Sequence, residues 1–268
     1  MRERERLLTA WRPIADLDVA SSVLGWDQET GMPPAGAEAR GRVLATLTAV
    51  RHERLLDSEL RAACAALAQV AEPGSEAAQQ ALAAQREIDR ATRVPSALAA
   101  QIAERESAAL VAWQEARAQS NFARFAPEFA RLLDLKRQEA GLLAGANGNP
   151  YDALLDHFEP GATVAALQPI FSQLRKELGP LIAAAAASGR AVDESAAHGD
   201  FPESGQRALG EFVASAIGFD FRAGRLDRAA HPFCSGFSPR DVRLTWRCQR
   251  NDFRPGLFGI LHEAGHGL

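Results

Sequence analysis

Apolar residues recur along much of the chain at the three-to-four-residue spacing that places them on one face of an α-helix. Leu56, Leu60, Cys64, Leu67 and Val70 form one stripe, and Phe125, Phe129, Leu132, Leu133 and Leu143 a second. Leu167, Ile170, Phe171, Leu174, Leu178 and Leu181 form a third, opened by Thr163 as a helix N-cap. Each stripe predicts a helix whose apolar face belongs to a core. Pro169 and Pro180 fall inside the third, where a kink or a shortened helix is expected. Turns are expected at Glu72-Pro73-Gly74, at Gly145-Ala146-Asn147-Gly148-Asn149-Pro150 and at Glu159-Pro160-Gly161, and a loop over 187–202, where small and polar residues gather. No repeat of fixed period interrupts this organisation.

One segment breaks the helical period. Over 241–247, Val242, Leu244 and Trp246 alternate strictly with Arg243, Thr245 and Arg247, which predicts a β-strand. Just downstream, Asn251-Asp252 offers an N-cap, Pro255 suits a first turn, and Leu257, Leu261, Ala264 and Leu268 mark the apolar face of a last helix. The pattern therefore predicts a mainly α protein: an elongated multi-helix scaffold over 1–268, a single region with a small β element beside its last helix.

Composition narrows the function classes. A chain of 268 residues can bury a sizeable core, and its net charge of −4 comes from interspersed signs, so neither nucleic acid nor an acidic membrane surface is expected as a partner. The longest alanine run, Ala183 to Ala187, is too short to span a bilayer. Met1-Arg2-Glu3-Arg4-Glu5-Arg6 lacks the apolar core of a signal peptide, so a cytoplasmic location is expected. Cys64, Cys234 and Cys248 are odd in number and widely spaced, which argues against a disulfide framework and for a reducing compartment.

The last helix carries the candidate chemistry. His262-Glu263-Ala264-Gly265-His266 is an H-E-x-x-H pattern. Histidines four positions apart lie one above the other on a helical face, so both imidazoles can reach one divalent ion, while Glu263 stands ready to take a proton from an attacking water. Two solvated histidines on an amphipathic helix would produce the same spacing. The strand upstream could hold an extended peptide by β-augmentation, or be a short structural strand with a solvated cationic face. His52, His157 and His198 have no partner at ligand spacing and are assigned ordinary surface or packing roles. Asp27 and Glu29 are assigned capping or ion-pair roles outside the site, and Cys234 is expected as a buried thiol rather than as a ligand.

The run His231-Pro232-Phe233-Cys234-Ser235-Gly236-Phe237-Ser238-Pro239-Arg240-Asp241-Val242-Arg243, followed by Asn251-Asp252-Phe253 and the H-E-A-G-H block, resembles the Taq-type thermostable metallocarboxypeptidases. Trp26-Asp27-Gln28-Glu29-Thr30-Gly31-Met32-Pro33, and Tyr151-Asp152-Ala153-Leu154-Leu155-Asp156 with Glu159-Pro160-Gly161 after it, are similar to two further motifs of that family in the same order. The resemblance implies a mostly helical, metal-dependent exopeptidase that removes single residues from peptide C-termini and is a homodimer when complete. It implies His262 and His266 as ligands of one divalent ion, zinc first, with cobalt and manganese as the other candidates, and Glu263 as general base. His231 would line the substrate site, joined on the strand by Arg243 and Thr245. Family members bring a third ligand, a glutamate, from a helix well downstream of the metal motif.

Because the resemblance covers the N-terminal half of such enzymes, the chain is expected to be truncated before the C-terminal half of the catalytic domain, and weakly active or inactive alone. The family's threonine, arginine and tyrosine after Asp241-Val242-Arg243-Leu244-Thr245 are replaced by Trp246, Arg247 and Cys248, which is expected to alter the cleft wall. Two other functions fit the same residues: a non-catalytic helical interaction module or degenerate homologue, and an H-E-x-x-H oligopeptidase cutting internally.

Overall fold

A computed structural model describes residues 2–146, 148–189 and 192–268. Asn147 of the expected turn before Pro150, and Arg190 and Ala191 of the expected 187–202 loop, lie outside them. In chain order the helices are α1 (Arg2–Thr30), α2 (Ala37–Leu55), α3 (Ser58–Val70), α4 (Glu76–Arg93), α5 (Ser96–Ala118), α6 (Phe122–Ala144), α7 (Pro150–Leu155), α8 (Val164–Ala187), α9 (Glu203–Ala216) and α10 (Arg254–Gly267). Three strands, β1 (Gly224–Arg228), β2 (Cys234–Ser238) and β3 (Asp241–Trp246), separate α9 from α10. The chain forms two compact units, Met1–Ile14 with Ala45–Ala191, and Ala15–Leu44 with Val192–Leu268.

In the first unit the expected α3 stripe is core. Leu60, Cys64 and Leu67 are buried with Leu7 and Ile14 of α1, Leu55 of α2, and Ala81, Ala84, Ile88 and Ala91 of α4. Val70, at the end of α3, is exposed instead. Asp57 and Ser75 cap α3 and α4 by accepting from first-turn amides, which satisfies donors no helix can satisfy internally. The second stripe is only half realised: Leu143 is buried in a cluster with Val94, Leu98 and Ile102, whereas Phe129 is exposed. The Tyr151 to Gly161 motif is a fastening. Asp152 Oδ1 accepts from Val164 N at 2.7 Å, and Asp156 accepts from Gly161 N at 2.8 Å and from Arg90 at 2.7 Å, tying the α7–α8 turn to α4. The Gly161 amide bond and then the Arg90 guanidinium hold the Asp156 carboxyl below its usual range. At Gly161 φ is +84°, a conformation that favours glycine.

The third stripe departs from expectation. Thr163 does cap α8, accepting from Ala166 N at 3.2 Å, and the helix runs unbroken past Pro169 and Pro180. Yet α8 has no buried residue, and Ile170, Phe171, Leu174, Leu178, Leu181 and Ile182 are all exposed. Amphipathic spacing reports that a face needs cover without saying what supplies it. No helix among the described residues is long and apolar enough to cross a membrane.

The second unit positions the candidate chemistry. Its sheet has the order β1-β3-β2, with β1 parallel and β2 antiparallel to the central β3, so that Leu226, Leu244 and Cys234 lie in register. Helix α10 packs on α9 and on β3, burying Ile260 and Ala264 with Ala214, Phe219, Leu226, Leu244 and Trp246. Burying a side chain such as Ile260 is worth roughly 1.5–3 kcal/mol. Close approach of α9 to α10 depends on Gly210, where a Cβ would stand 2.2 Å from Ile260 Cδ1. The packed face of α10 is thus Gly256, Ile260, Glu263 and Ala264, rather than the expected row ending at Leu268, which is exposed.

Candidate active site

Helix α10 begins where its sequence suggests. Asp252 Oδ1 accepts from Arg254 N at 2.9 Å, although the helix starts one residue later than a cap at Asp252 would give, and Pro255 occupies the first turn. The Arg254 guanidinium donates to Asp252 at 2.8 Å and to Glu194 at 3.1 Å. That pairing brings the Asp252 carboxyl down to about 2. A β-bridge between His198 and Asp252 adds a backbone tie. His198 therefore belongs to the ionic cluster at the start of α10 and stands apart from the pair at its end.

That pair converges. The Nε2 atoms of His262 and His266 are 3.2 Å apart, with ring planes crossing at 87° and both side chains exposed. Two nitrogens each about 2.0–2.1 Å from one tetrahedral ion would be separated by about 3.3 Å, so the two imidazoles fit a shared divalent cation. Among the described residues no group of three or more His, Cys, Asp or Glu is arranged to hold a metal. Glu263, between them in sequence, is 6% exposed. Burial pushes the Cys234 thiol up, and the charge of Glu263 adds to the effect. Both disfavour a thiolate, so Cys234 fits a wall residue.

His231 is the exposed residue of the half-buried segment before β2. Its Nδ1 donates to the Pro232 carbonyl at 2.6 Å, since a carbonyl oxygen can only accept, and this leaves Nε2 outward. A Cβ on Gly259 would stand 3.6 Å from Pro232 Cγ, so the His231-Pro232 segment rests on α10 one turn before His262.

Arg243 and Thr245 lie on the face of β3 away from α10. Val242 and Leu244 lie beside Gly267, and Trp246 beside Gly256, so these alternate residues of β3 face α10. Arg243 and Thr245 consequently point to the opposite face of the sheet. Thr245 is 0% exposed. Its Oγ1 accepts from Phe233 N at 2.7 Å and donates to Phe233 O at 3.1 Å, fastening the segment after His231 instead of lining a substrate. Arg243 donates to both Asp241 carboxylate oxygens at 2.9 Å and stacks 4.3 Å from the Trp26 ring and 4.8 Å from that of Phe237. Cation–π contacts of this kind are worth about 0.5–1 kcal/mol when exposed and more when desolvated. They dock the end of α1 on the sheet.

The same end of α1 carries a half-buried acid that sequence reasoning assigned a capping or ion-pair role. Glu29 lies one turn beyond Trp26 on α1, and burial raises its carboxyl above the ordinary value while the His231 charge pulls it back. The available signal was the i,i+3 spacing of Trp26 and Glu29, which puts both on one helical face. Trp246, expected to reshape the cleft wall, is 0% exposed and fills the core against Gly256. His52 and His157 belong to the first unit, His52 bonded to Val94 O at 2.7 Å and His157 lowered by burial and then by Arg90.

Comparisons with known proteins bear on this geometry. A family model described as carboxypeptidase Taq (M32) metallopeptidase matches residues 6–268. Thermostable carboxypeptidase 1 of Thermus thermophilus is 36% identical over 275 residues, which cover 98% of this chain and 54% of the relative. Carboxypeptidase 1 of Bacillus subtilis is 32% identical over 256 residues, covering 95% and 51%. Among solved structures, the BsuCP crystal structure superposes with a TM-score of 0.93 at 30% identity, over 100% of this chain and 54% of that one. The M32 carboxypeptidase from Deinococcus radiodurans R1 gives a TM-score of 0.81 at 32% identity, over 100% and 53%. The chain spans about half the length of the curated relatives it matches.

Proposed function

The chain belongs to the carboxypeptidase Taq (M32) metallopeptidase family, and on that premise we propose that it provides the metal helix and general base of a site that hydrolyses the last peptide bond of peptides. The observation that carries this is the convergence of His262 and His266 with their Nε2 atoms 3.2 Å apart on one exposed helical face. A divalent ion held there, zinc before cobalt or manganese, supplies Lewis acidity and makes a water acidic enough to lose a proton near neutral pH. Glu263 would serve as the general base there, because its carboxylate belongs to the same helical turn as the two histidines. His231 offers Nε2 to the peptide, because its Nδ1 is held by the Pro232 carbonyl. β3 already has a neighbour on each side, so an extended peptide adds at the free edge of β2, which packs against α10. The homodimer and the cytoplasmic location expected from the sequence belong to the same proposal.

End-blocking separates this activity from internal cleavage. The zinc-loaded chain is expected to release residues only from peptides with a free C-terminal carboxylate, and to lose that activity in Glu263→Gln. Turnover should be well below that of a site with three protein ligands. Cleavage of C-terminally amidated peptides at internal bonds would overturn the carboxypeptidase assignment.

A further inference from the structure

Helices α2 and α4 carry charges where a core face would be apolar. Thr48, Arg51, His52 and Leu55 recur on α2 at the spacing of one helical face, and Glu87, Arg90, Ala91 and Val94 repeat that spacing on α4 and its C-cap. The two faces border one cavity of about 230 Å³, shared with Ala99 of α5, Glu139 and Leu143 of α6, and His157 beyond α7. Its charged walls are mostly buried: the Glu139 side chain is 13% exposed and that of Arg90 22%. Charged side chains are seldom placed so without a partner or a task.

Pairing within the protein uses only part of this polar capacity. Glu87 is spent, accepting from Arg51 at 3.1 Å and from Arg90 at 2.9 Å. Arg90 gives Nη2 to Asp156 at 2.7 Å, while its Nε has no partner among the described residues. Glu139 accepts from Lys136 at 3.1 Å through Oε2, and its Oε1 has no partner among the described residues. His52 is buried and donates from Nε2 to the Val94 carbonyl at 2.7 Å, which leaves the Nδ1 lone pair of a neutral ring. Glu139 Oε1 and His52 Nδ1 are thus acceptors suited to an ammonium, and Arg90 Nε and an N–H of His157 are donors suited to a carboxylate. Leu55, Val94 and Leu143 add a buried apolar wall. Both signs in one small cavity favour a zwitterion over a simple anion or cation. Size narrows it further: a cavity of about 150 Å³ holds benzene, so at the same ratio this one holds about nine non-hydrogen atoms. We propose that the cavity binds a free α-amino acid with an apolar side chain of valine to leucine size, its ammonium on Glu139 and His52 and its carboxylate on Arg90 and His157. Every residue of the site belongs to the first unit, so binding stands whether or not α10 holds a metal.

Calorimetric titration of L-leucine into the folded, metal-free chain tests it. One leucine per chain is expected, with a Kd of about 1 mM or tighter. Isoamylamine, which lacks the carboxylate, and isocaproate, which lacks the ammonium, should each bind at least about tenfold more weakly, since each leaves one set of polar groups unpaired. L-Aspartate should not bind, because it would bury a second carboxylate against the apolar wall. Glu139→Gln should weaken leucine by about tenfold or more and isocaproate little, because it removes only the charged partner of the ammonium. Ala99→Leu, which fills the cavity without touching a charge, should abolish binding in a chain that remains folded by circular dichroism. His198→Gln, in the second unit, should leave binding unchanged. Absence of saturable leucine binding by the folded parent overturns the proposal. So does either analogue or L-aspartate binding as tightly as leucine, and so does leucine binding that survives Ala99→Leu.

Discussion

Substituting Gly224 by alanine tests how tightly the sheet beneath the metal helix is specified. Gly224 opens β1 opposite Val242 of β3. A Cβ there would stand 2.4 Å from Phe219 Cζ and 2.6 Å from the Val242 carbonyl oxygen. The ring can move, but the carbonyl belongs to the central strand and cannot shift without disturbing the pairing. Overpacking of this kind costs about 1–3 kcal/mol. Loosening the bond from Val242 N to Ala223 O, now 2.9 Å, adds about 0.5–1.5 kcal/mol. Replacing a strand glycine returns about 0.5–1 kcal/mol through the unfolded chain. The clash therefore wins, and Gly224→Ala is expected to lower stability by about 1–3 kcal/mol. Urea denaturation measures the loss, and hydrogen exchange at Leu226 and Leu244 localises it. In a Phe219→Leu background the penalty should shrink without vanishing, because the backbone clash persists. An alanine variant as stable as the parent, or more so, would refute the claim that β1 and β3 are held at this distance.

Thr245→Val should cost about 1–3 kcal/mol by leaving Phe233 N without its acceptor, with faster exchange at the Phe233 amide; unchanged exchange there would return Thr245 to the list of substrate-lining residues. Glu29 supplies a pH test. Its folded carboxyl titrates above the ordinary 4.5, so between that value and its raised one the folded state holds the extra proton, and stability falls as pH rises through the window. Glu29→Gln should remove this slope, and parallel denaturation profiles of the two proteins from acid to neutral pH would contradict the burial of Glu29. Hydrogen exchange in the uncomplexed chain should be faster along the exposed α8 than across Ile260 to Ala264 of the packed α10; the reverse order would mean that α8 is covered.

Much of the architecture is legible in the sequence because α-helices announce themselves locally. The α3 stripe, the Thr163 cap, the β3 alternation and the start of α10 follow from spacing and capping chemistry alone. The metal pair is equally local, since a four-residue interval fixes both imidazoles on one face. What fails is everything settled by partners distant in sequence. β1 (Gly-Arg-Leu-Asp-Arg) and β2 (Cys-Ser-Gly-Phe-Ser) lack the β-branched runs that mark strands, so β3 reads as a lone element whose polar face is free for substrate. Once α1 docks Trp26 on that face, Arg243 is held between Trp26 and Asp241 and Thr245 binds the Phe233 backbone. Similarly, Trp246 reads as a cleft residue until the missing side chain at Gly256 shows where its ring goes. The exposed stripe of α8 is misread for a different reason: its periodicity is real, but spacing alone does not say whether or by what the face is covered.

The central claim is that His262 and His266 together hold a divalent cation with Glu263 as the neighbouring base, and zinc titration by calorimetry tests it most directly. One ion per chain is expected, held more weakly than by a three-ligand protein site because water must complete the coordination. Binding should be lost in His262→Ala and in His266→Ala and retained in Glu263→Gln. Zinc binding that survives either histidine substitution, or no binding to the parent chain at all, would contradict the account.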